Sequence, residues 1–237
     1  MLNGRRQMKR FVIGNWKCHK TLADAESWFD AFAGMYEPVP EVSVILAPSF
    51  VCLDGLSGYV KRLCLDNVSL AAQDVSPFPK GSYTGAVAAD MVKGMVDYVI
   101  IGHSDRRRYF HETSQDVANK VNETVDAGLV PIVCVDRPSA MSQLTALTDI
   151  DCEKMIIAYG PVDALSFRIP QSPKEVVEAA DLISRAHPHR PIVYGGSIIP
   201  ENARQYASLP GISGLFVGAA SLEAASFAAI CKEMAVY

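Results

Sequence analysis

Short runs of β-branched and other apolar residues alternate with longer stretches of helical periodicity along the whole chain. Eight runs read as strands: Phe11–Asn15, Val42–Ala47, Val68–Ala72, Tyr98–Gly102, Val130–Val135, Met155–Tyr159, Ile192–Gly195 and Leu215–Val217. Several are apolar on both faces, the pattern of parallel strands covered on either side. Between them, helical spacing appears over Leu22–Tyr36, Leu53–Leu63, Ala86–Lys93, Asp116–Ala127, Lys174–Ala186, Asn202–Leu209 and Leu222–Met234. Thr21 with Asp24 marks the start of the first helix, and Ser221 with Glu223 the start of the last. Their side-chain oxygens suit the unpaired N–H groups and positive dipole end of a first turn.

Strand–helix units repeated with no linker and no composition break predict an α/β protein built as one closed (β/α)8 barrel, a single domain over 8–237. Met8 reads as the usual start, with 1–7 a short extension. An open doubly wound sheet calls for a glycine-rich phosphate turn after an early strand; the first strand here ends in Asn15-Trp16-Lys17. The fifth unit is the tightest. About 20 residues separate Val135 from Met155, and they include Pro138, so its helix is short, over Met141–Leu147.

Composition narrows the partners. The 237 residues are 49% hydrophobic and 20% charged, with 22 basic against 26 acidic side chains and a net charge of −4. That gives no electrostatic footprint for nucleic acid or an anionic membrane, so an anionic small molecule needs a local site. No apolar run approaches the roughly 20 residues that span a bilayer, and the basic stretch Met1–Arg10 lacks the apolar segment of a secretion signal. Six scattered cysteines, with no Cys-x-x-Cys pair, read as reduced and mostly buried thiols of a cytoplasmic protein. Cys18-His19 is too little for a metal site, and neither metal nor cofactor is expected.

In such a barrel the C-terminal strand ends face the site. Asn15 and Lys17 end the first strand, His103 the fourth, Gly160 the sixth, Gly196-Ser197 the seventh and Gly218-Ala219 the eighth. One such residue alone is ordinarily a solvated or satisfied polar group; several on one rim suggest chemistry. The runs Gly14-Asn15-Trp16-Lys17, Ile101-Gly102-His103-Ser104 and Tyr194-Gly195-Gly196-Ser197 resemble the triosephosphate isomerase family over nearly the whole chain. The resemblance implies a TIM barrel that interconverts dihydroxyacetone phosphate and glyceraldehyde 3-phosphate through an enediolate. Such chemistry needs a base, a polariser for the oxyanion and a clamp for the phosphate.

By that resemblance Asn15, Lys17 and His103 occupy catalytic positions. His103 donates from a neutral imidazole, a device for which this family is itself the standard example. Asp105 stands where the family usually has glutamate, and its shorter side chain puts its reach to Lys17 in question. Of the run Arg106-Arg107-Arg108, one arginine reads as the partner of Asp105 and two as solvated; an anion patch is the other reading. The phosphate clamp falls on Gly196, Ser197, Gly218 and Ala219, the last at a usual glycine. Ser166 in the sixth loop is its remaining member. That loop is the most altered segment: Gly160-Pro161-Val162-Asp163-Ala164-Leu165 leads into a tip, Ser166-Phe167-Arg168-Ile169-Pro170, without glycine. Arg168 reads as an exposed loop residue.

Gly160 occupies the position of the family's proton-removing glutamate. Three readings stand open: a point substitution in a working isomerase, since the codons differ by one base; a diverged relative that binds a sugar phosphate or isomerises another; or another carboxylate as base, Asp163 being the nearest in sequence. The long polar connection Gln73–Gly85 resembles the family loop that enters a neighbouring subunit, with Thr84 brought near that subunit's lysine and asparagine. A two-fold homodimer follows from the resemblance.

Overall fold

In the computed structural model the described residues are 9–136, 140–145, 147, 150, 152–167 and 169–234, with the side chains of Met141, Leu165, Ser166 and Phe167 outside that description. The extension at 1–7, the Ser166 side chain and Arg168 therefore lie outside the described residues. Eight strands close into one barrel in chain order: β1 Arg10–Asn15, β2 Val42–Ala47, β3 Val68–Ala72, β4 Tyr98–Ile101, β5 Val130–Val135, β6 Ile156–Tyr159, β7 Ile192–Tyr194 and β8 Gly214–Val217. Neighbours are parallel throughout, and β1 closes on β8 with Phe11 opposite Gly214.

The two-residue period of each strand divides its side chains between two cores. Phe11, Ile13, Ile45, Ile100, Ile132, Ile156, Ala158 and Phe216 fill the barrel interior. Val12, Val44, Leu46, Ile157, Tyr159, Tyr194 and Leu215 face out against the helices. One more step of the same alternation at the C-terminal mouth reaches Asn15, Gly160, Gly195 and Gly218.

The helices are α1 Leu22–Ala33, α2 Phe50–Leu63, α3 Ala89–Val92, α4 Ser104–Tyr109, α5 Ser114–Asp126, α6 Ala140–Thr145, α7 Val162–Phe167, α8 Pro173–Ala186, α9 Pro200–Ala207 and α10 Ala224–Glu233. Thr21 and Asp24 form a reciprocal cap on α1, whose buried face (Ala25, Trp28, Phe29, Phe32) has the 3.6-residue period. The α6 helix is as short as its crowded unit requires.

Three local expectations are corrected. Ser221 does not cap the last helix; it is buried in a 3-10 turn and its hydroxyl donates to the Gly218 carbonyl at 2.7 Å, while Glu223 occupies the N-cap without a side-chain bond. The third helix begins at Ala89 rather than Ala86, because the Val87 carbonyl accepts from the Ser76 N–H in the neighbouring loop. Helix α7 occupies part of the segment read as the sixth loop, and α4 a stretch that was given no element; in α4, a His103 side chain replaces an ordinary cap.

Barrel closure between β8 and β1 depends on Gly214. A Cβ there would lie 2.0 Å from the Phe11 carbonyl oxygen, and the contact is with backbone, which cannot step aside. Gly214→Ala is expected to destabilise the fold by about 3 kcal/mol or more. Gly58→Ala within α2, where the nearest atom is the Arg62 guanidinium at 3.5 Å, should stabilise by about 0.5–1 kcal/mol. Urea unfolding of both variants checks the opposite signs.

Candidate active site

The mouth of the barrel holds a cavity lined by Lys17, His103, Arg107, Gly160, Ser197 and Phe216, among others. Four of the residues singled out in the sequence thus meet in one place, and Gly218 joins them on its wall. Asn15 stands just behind, buried, its Oδ1 accepting from the Lys17 N–H at 2.9 Å. Gly196 and Ala219 are neighbours of the wall rather than part of its lining. Thr84 lies apart, exposed on its long loop.

Lys17 and Ser197 both adopt left-handed backbone, with φ of 51° and 54°, although neither is glycine. Such conformations cost free energy and persist where surrounding bonds impose them. For Lys17 the imposing groups are Asn15 and Gln73, whose side-chain amide donates at 2.8 Å both to the Lys17 carbonyl and to that of Ala47. Sequence reading passed over Gln73. Its signal was present: it is the next inward position after Ala71 on β3. For Ser197, the hydroxyl donates to the Ala164 carbonyl at 2.8 Å and Asn202 donates to its carbonyl at 3.1 Å.

The Lys17 ammonium lies 2.9 Å from Asp105 Oδ2, so the aspartate does reach it. Of the three arginines, none partners Asp105. Arg106 reaches Asp74 at 2.8 Å and Glu112 at 3.5 Å. Arg107 donates to the Cys134 carbonyl at 2.9 Å and faces Asp136 at 3.4 Å. Arg108 lies over the Tyr109 ring. Arg106 and Arg107 are therefore structural cations rather than solvated ones. Lys120 completes the inner group, bonded to Asp74 at 2.7 Å and to Glu112.

His103 caps α4 with its own ring: Nδ1 accepts from the Asp105 N–H at 3.1 Å. That bond leaves the proton of a neutral imidazole on Nε2. Burial is the main cause that holds its pKa down, to about 4, against the raising effect of Asp105 and with Lys17 adding to the depression. The 3.5 Å approach of Nδ1 to the Asp105 carboxylate is accordingly no ion pair at neutral pH.

Beside the cavity, the segment after β6 is tied at both ends. Ser197 holds Ala164 in α7, and Gln171 is gripped by three tyrosines. Tyr159 donates to its Oε1 at 2.9 Å, Tyr206 donates to its carbonyl at 2.6 Å, and its N–H donates to the Tyr194 hydroxyl at 3.0 Å. Gly196 makes room for this grip, since a Cβ there would lie 2.2 Å from the Tyr194 hydroxyl. Asp163, the carboxylate nearest Gly160 in sequence, is exposed and is not part of the cavity wall.

The pH consequence of His103 has a definite sign. As pH falls, the unfolded chain takes up the imidazole proton near 6.5 while the folded ring resists to about 4. Stability is therefore complete above the unfolded value and is lost progressively below it. Between pH 7.5 and pH 5 this one group should cost about 2 kcal/mol. Urea unfolding at the two pH values should show that loss in the wild type and its absence in His103→Gln. Nitrogen NMR of the ring should find the Nε2–H tautomer throughout that range.

The family model described as triosephosphate isomerase matches residues 10–234. A triosephosphate isomerase of Dehalococcoides mccartyi is 35% identical, the match covering 97% of this chain and 98% of the relative. One from Gloeobacter violaceus is 38% identical over 94% of this chain and 98% of its own length. One from Mesomycoplasma hyorhinis is 33% identical over 92% and 96%. With the closed parallel barrel, these matches give the assignment: the chain belongs to the triosephosphate isomerase family.

Proposed function

We propose that the cavity binds a triose phosphate and retains the electrophilic half of an aldose–ketose isomerase site without its resident base. The observation that carries this reading is the meeting of Lys17, a neutral His103 and Ser197 around Gly160 in one cavity. Backbone N–H groups at Ser197, Gly218 and Ala219 hold the phosphate, as N–H groups at turns do without side-chain charge. Gly196 supports that cradle, and Ser166 belongs to it by resemblance. His103 Nε2–H and Asn15 face the substrate oxygens, and Lys17, steadied by Asp105, balances the charge of the dianion and the enediolate.

Proton abstraction is where this chain differs from its family. Among the described residues lining the cavity none carries a carboxylate. Cys134 is no substitute, because burial pushes its thiol up to about 12, and Asp163 points into solvent rather than the cavity wall. Isomerisation by this chain is accordingly slow, and sugar-phosphate binding without turnover is the limiting case of the same site.

The loop after β3 supports a two-fold dimer. Phe78 and Tyr83 stack there with centroids 4.7 Å apart while each stays 45% exposed, and Thr84 is exposed beside them. A second copy of the chain covers these rings and receives Thr84 near its Lys17. No helix among the described residues is long and apolar enough to cross a membrane, which accords with a cytoplasmic place of action. Sedimentation at micromolar concentration should give a dimer, and a monomer there would count against this part of the reading.

Gly160→Glu is expected to raise kcat for triose phosphate isomerisation by about 10²–10⁴, the usual worth of a positioned base. A coupled assay measures this. In the unaltered chain 2-phosphoglycolate should raise the melting temperature, since ligands that bind the native state stabilise it. Absence of both effects would sink the isomerase-site reading.

A further inference from the structure

A groove runs along the outside of the barrel, on the seam between the first helix and the last. Met35, Val39 and Pro40, after α1, form one wall, and Ala225, Ala228 and Ala229 of α10 form the other. The alanines recur at helical spacing, with Ala225 and Ala229 exposed, and Met35 opposite them is 45% exposed. A scattered apolar side chain on a surface needs no explanation, but a contiguous apolar channel marks a place that something covers. The groove holds about 440 Å³. An engineered apolar cavity of about 150 Å³ already takes a benzene ring, so several side chains fit here.

The chain itself enters the barrel at the foot of this groove. Arg10, the first residue of β1, donates its N–H to the carbonyl of Glu41, next after Pro40, at 2.9 Å. Its guanidinium donates at 3.4 Å to the carbonyl of Met234, the C-cap of α10, and at 2.6 Å to that of Ala207. Arg10 thus sits between the ends of the two walls, and exposed Lys9 precedes it. Residues 1–8 start from that point; they read Met1-Leu2-Asn3-Gly4-Arg5-Arg6-Gln7-Met8 and lie outside the described residues. Seven extended steps from Lys9 back to Leu2 reach about 23–25 Å, whereas α10 rises only about 10 Å from Ala225 to Lys232. Length is therefore ample. Composition also matches: apolar Met1, Leu2 and Met8 flank Arg5 and Arg6, while Glu37 lies in the groove and exposed Glu41 at its foot. Lys232 is the opposing charge among the described lining residues.

We propose that residues 1–8 turn back from β1 and dock in this groove, with Leu2 on the alanine stripe of α10 and Arg5 and Arg6 toward Glu37 and Glu41. The segment straps the first strand–helix unit to the last, across the seam where the barrel closes. Exposed ion pairs contribute little by themselves. The apolar contact holds the segment, and the charges set its direction.

The test is disulfide trapping in the full-length chain. Asn3→Cys is paired with Ala225→Cys, or in a control with Asn122→Cys on α5, across the barrel; both helix positions are exposed, so neither change disturbs the core. The first pair should close about tenfold faster or more, since a disulfide forms only when the two Cα atoms come within about 7 Å. Peptide mapping reads the bonds and separates those made to the natural thiols. Equal rates for the two pairs would overturn the proposal.

Mixing nitrogen-15-labelled and unlabelled chains separates the occupants. The bond should lie within one chain; a bond between chains gives the groove to a second copy and ends the proposal. Residues 235–237 continue from the same end of α10, and their removal should leave the rate unchanged. A faster rate without them would mean that they hold the groove instead. Arg5→Glu with Arg6→Glu should slow closure by about threefold or more, the scale of exposed pairs, and Glu37→Lys should restore it. A rate indifferent to these charges contradicts the assigned direction. Leu2→Asp alone should lower the Tm by about 2–4 °C, and an unchanged Tm would count against docking on the stripe.

Discussion

The burial of Trp16 is the constraint on which the active-site rim depends. Its ring is fully enclosed, packed edge-on against Trp28 at 5.0 Å and beside Phe29, and its indole N–H donates to the Ser221 carbonyl at 3.0 Å. This large side chain is held on the outer side of the barrel, between two residues that serve the mouth. Asn15 continues the inward side of β1, and Lys17 follows in a left-handed conformation. The same hydrogen bond joins the loop after β1 to the turn after β8. Loss of the indole would release the first and last rim loops together. Aromatic burial also carries a large apolar area per residue, so energetic and geometric roles coincide in one side chain.

Charge is arranged beneath the rim by a similar economy. Asp74 just after β3, Arg106 on α4, Glu112 just before α5 and Lys120 within it form a largely buried group with matched signs. Removing any one member leaves another charge uncompensated in a poorly solvated place, which is costlier than losing a surface pair. The group therefore fixes the base of the long loop that carries Thr84 and the start of the segment that carries His103. Asp105, one residue before Arg106, stays free of it and is left to Lys17.

The strands were legible because short continuous apolar runs, most of them rich in β-branched residues, suit strands buried on both faces, and the order of units left few topologies to weigh. The rim residues were legible because barrel geometry assigns strand ends to the site. What the sequence hid were choices between equivalent partners. Three successive arginines offer no local clue as to which faces Asp74, which the Cys134 carbonyl and which an aromatic ring. Ser221 looked like a helix cap because its type suits that role, yet a tighter turn claimed its hydroxyl first. Gln73 and Gln171 carry much of the site's rigidity through amide groups whose partners lie far along the chain. No spacing rule announces such contacts. Gly160 itself was plain in the sequence, but the cationic wall around it required Arg107 to be placed.

The grip of three tyrosines on Gln171 has a consequence for how this fold tolerates change. With Ala164 tied to Ser197 at one end and Gln171 fixed at the other, the intervening segment is anchored by bonds made mostly through its backbone. The two posts belong to the barrel and its helices, since Tyr159 ends β6, Tyr194 ends β7 and Tyr206 lies on α9. Where the segment leaves the barrel and where it returns are thus settled by the strands themselves, and a change at any of these tyrosines would be felt at the mouth.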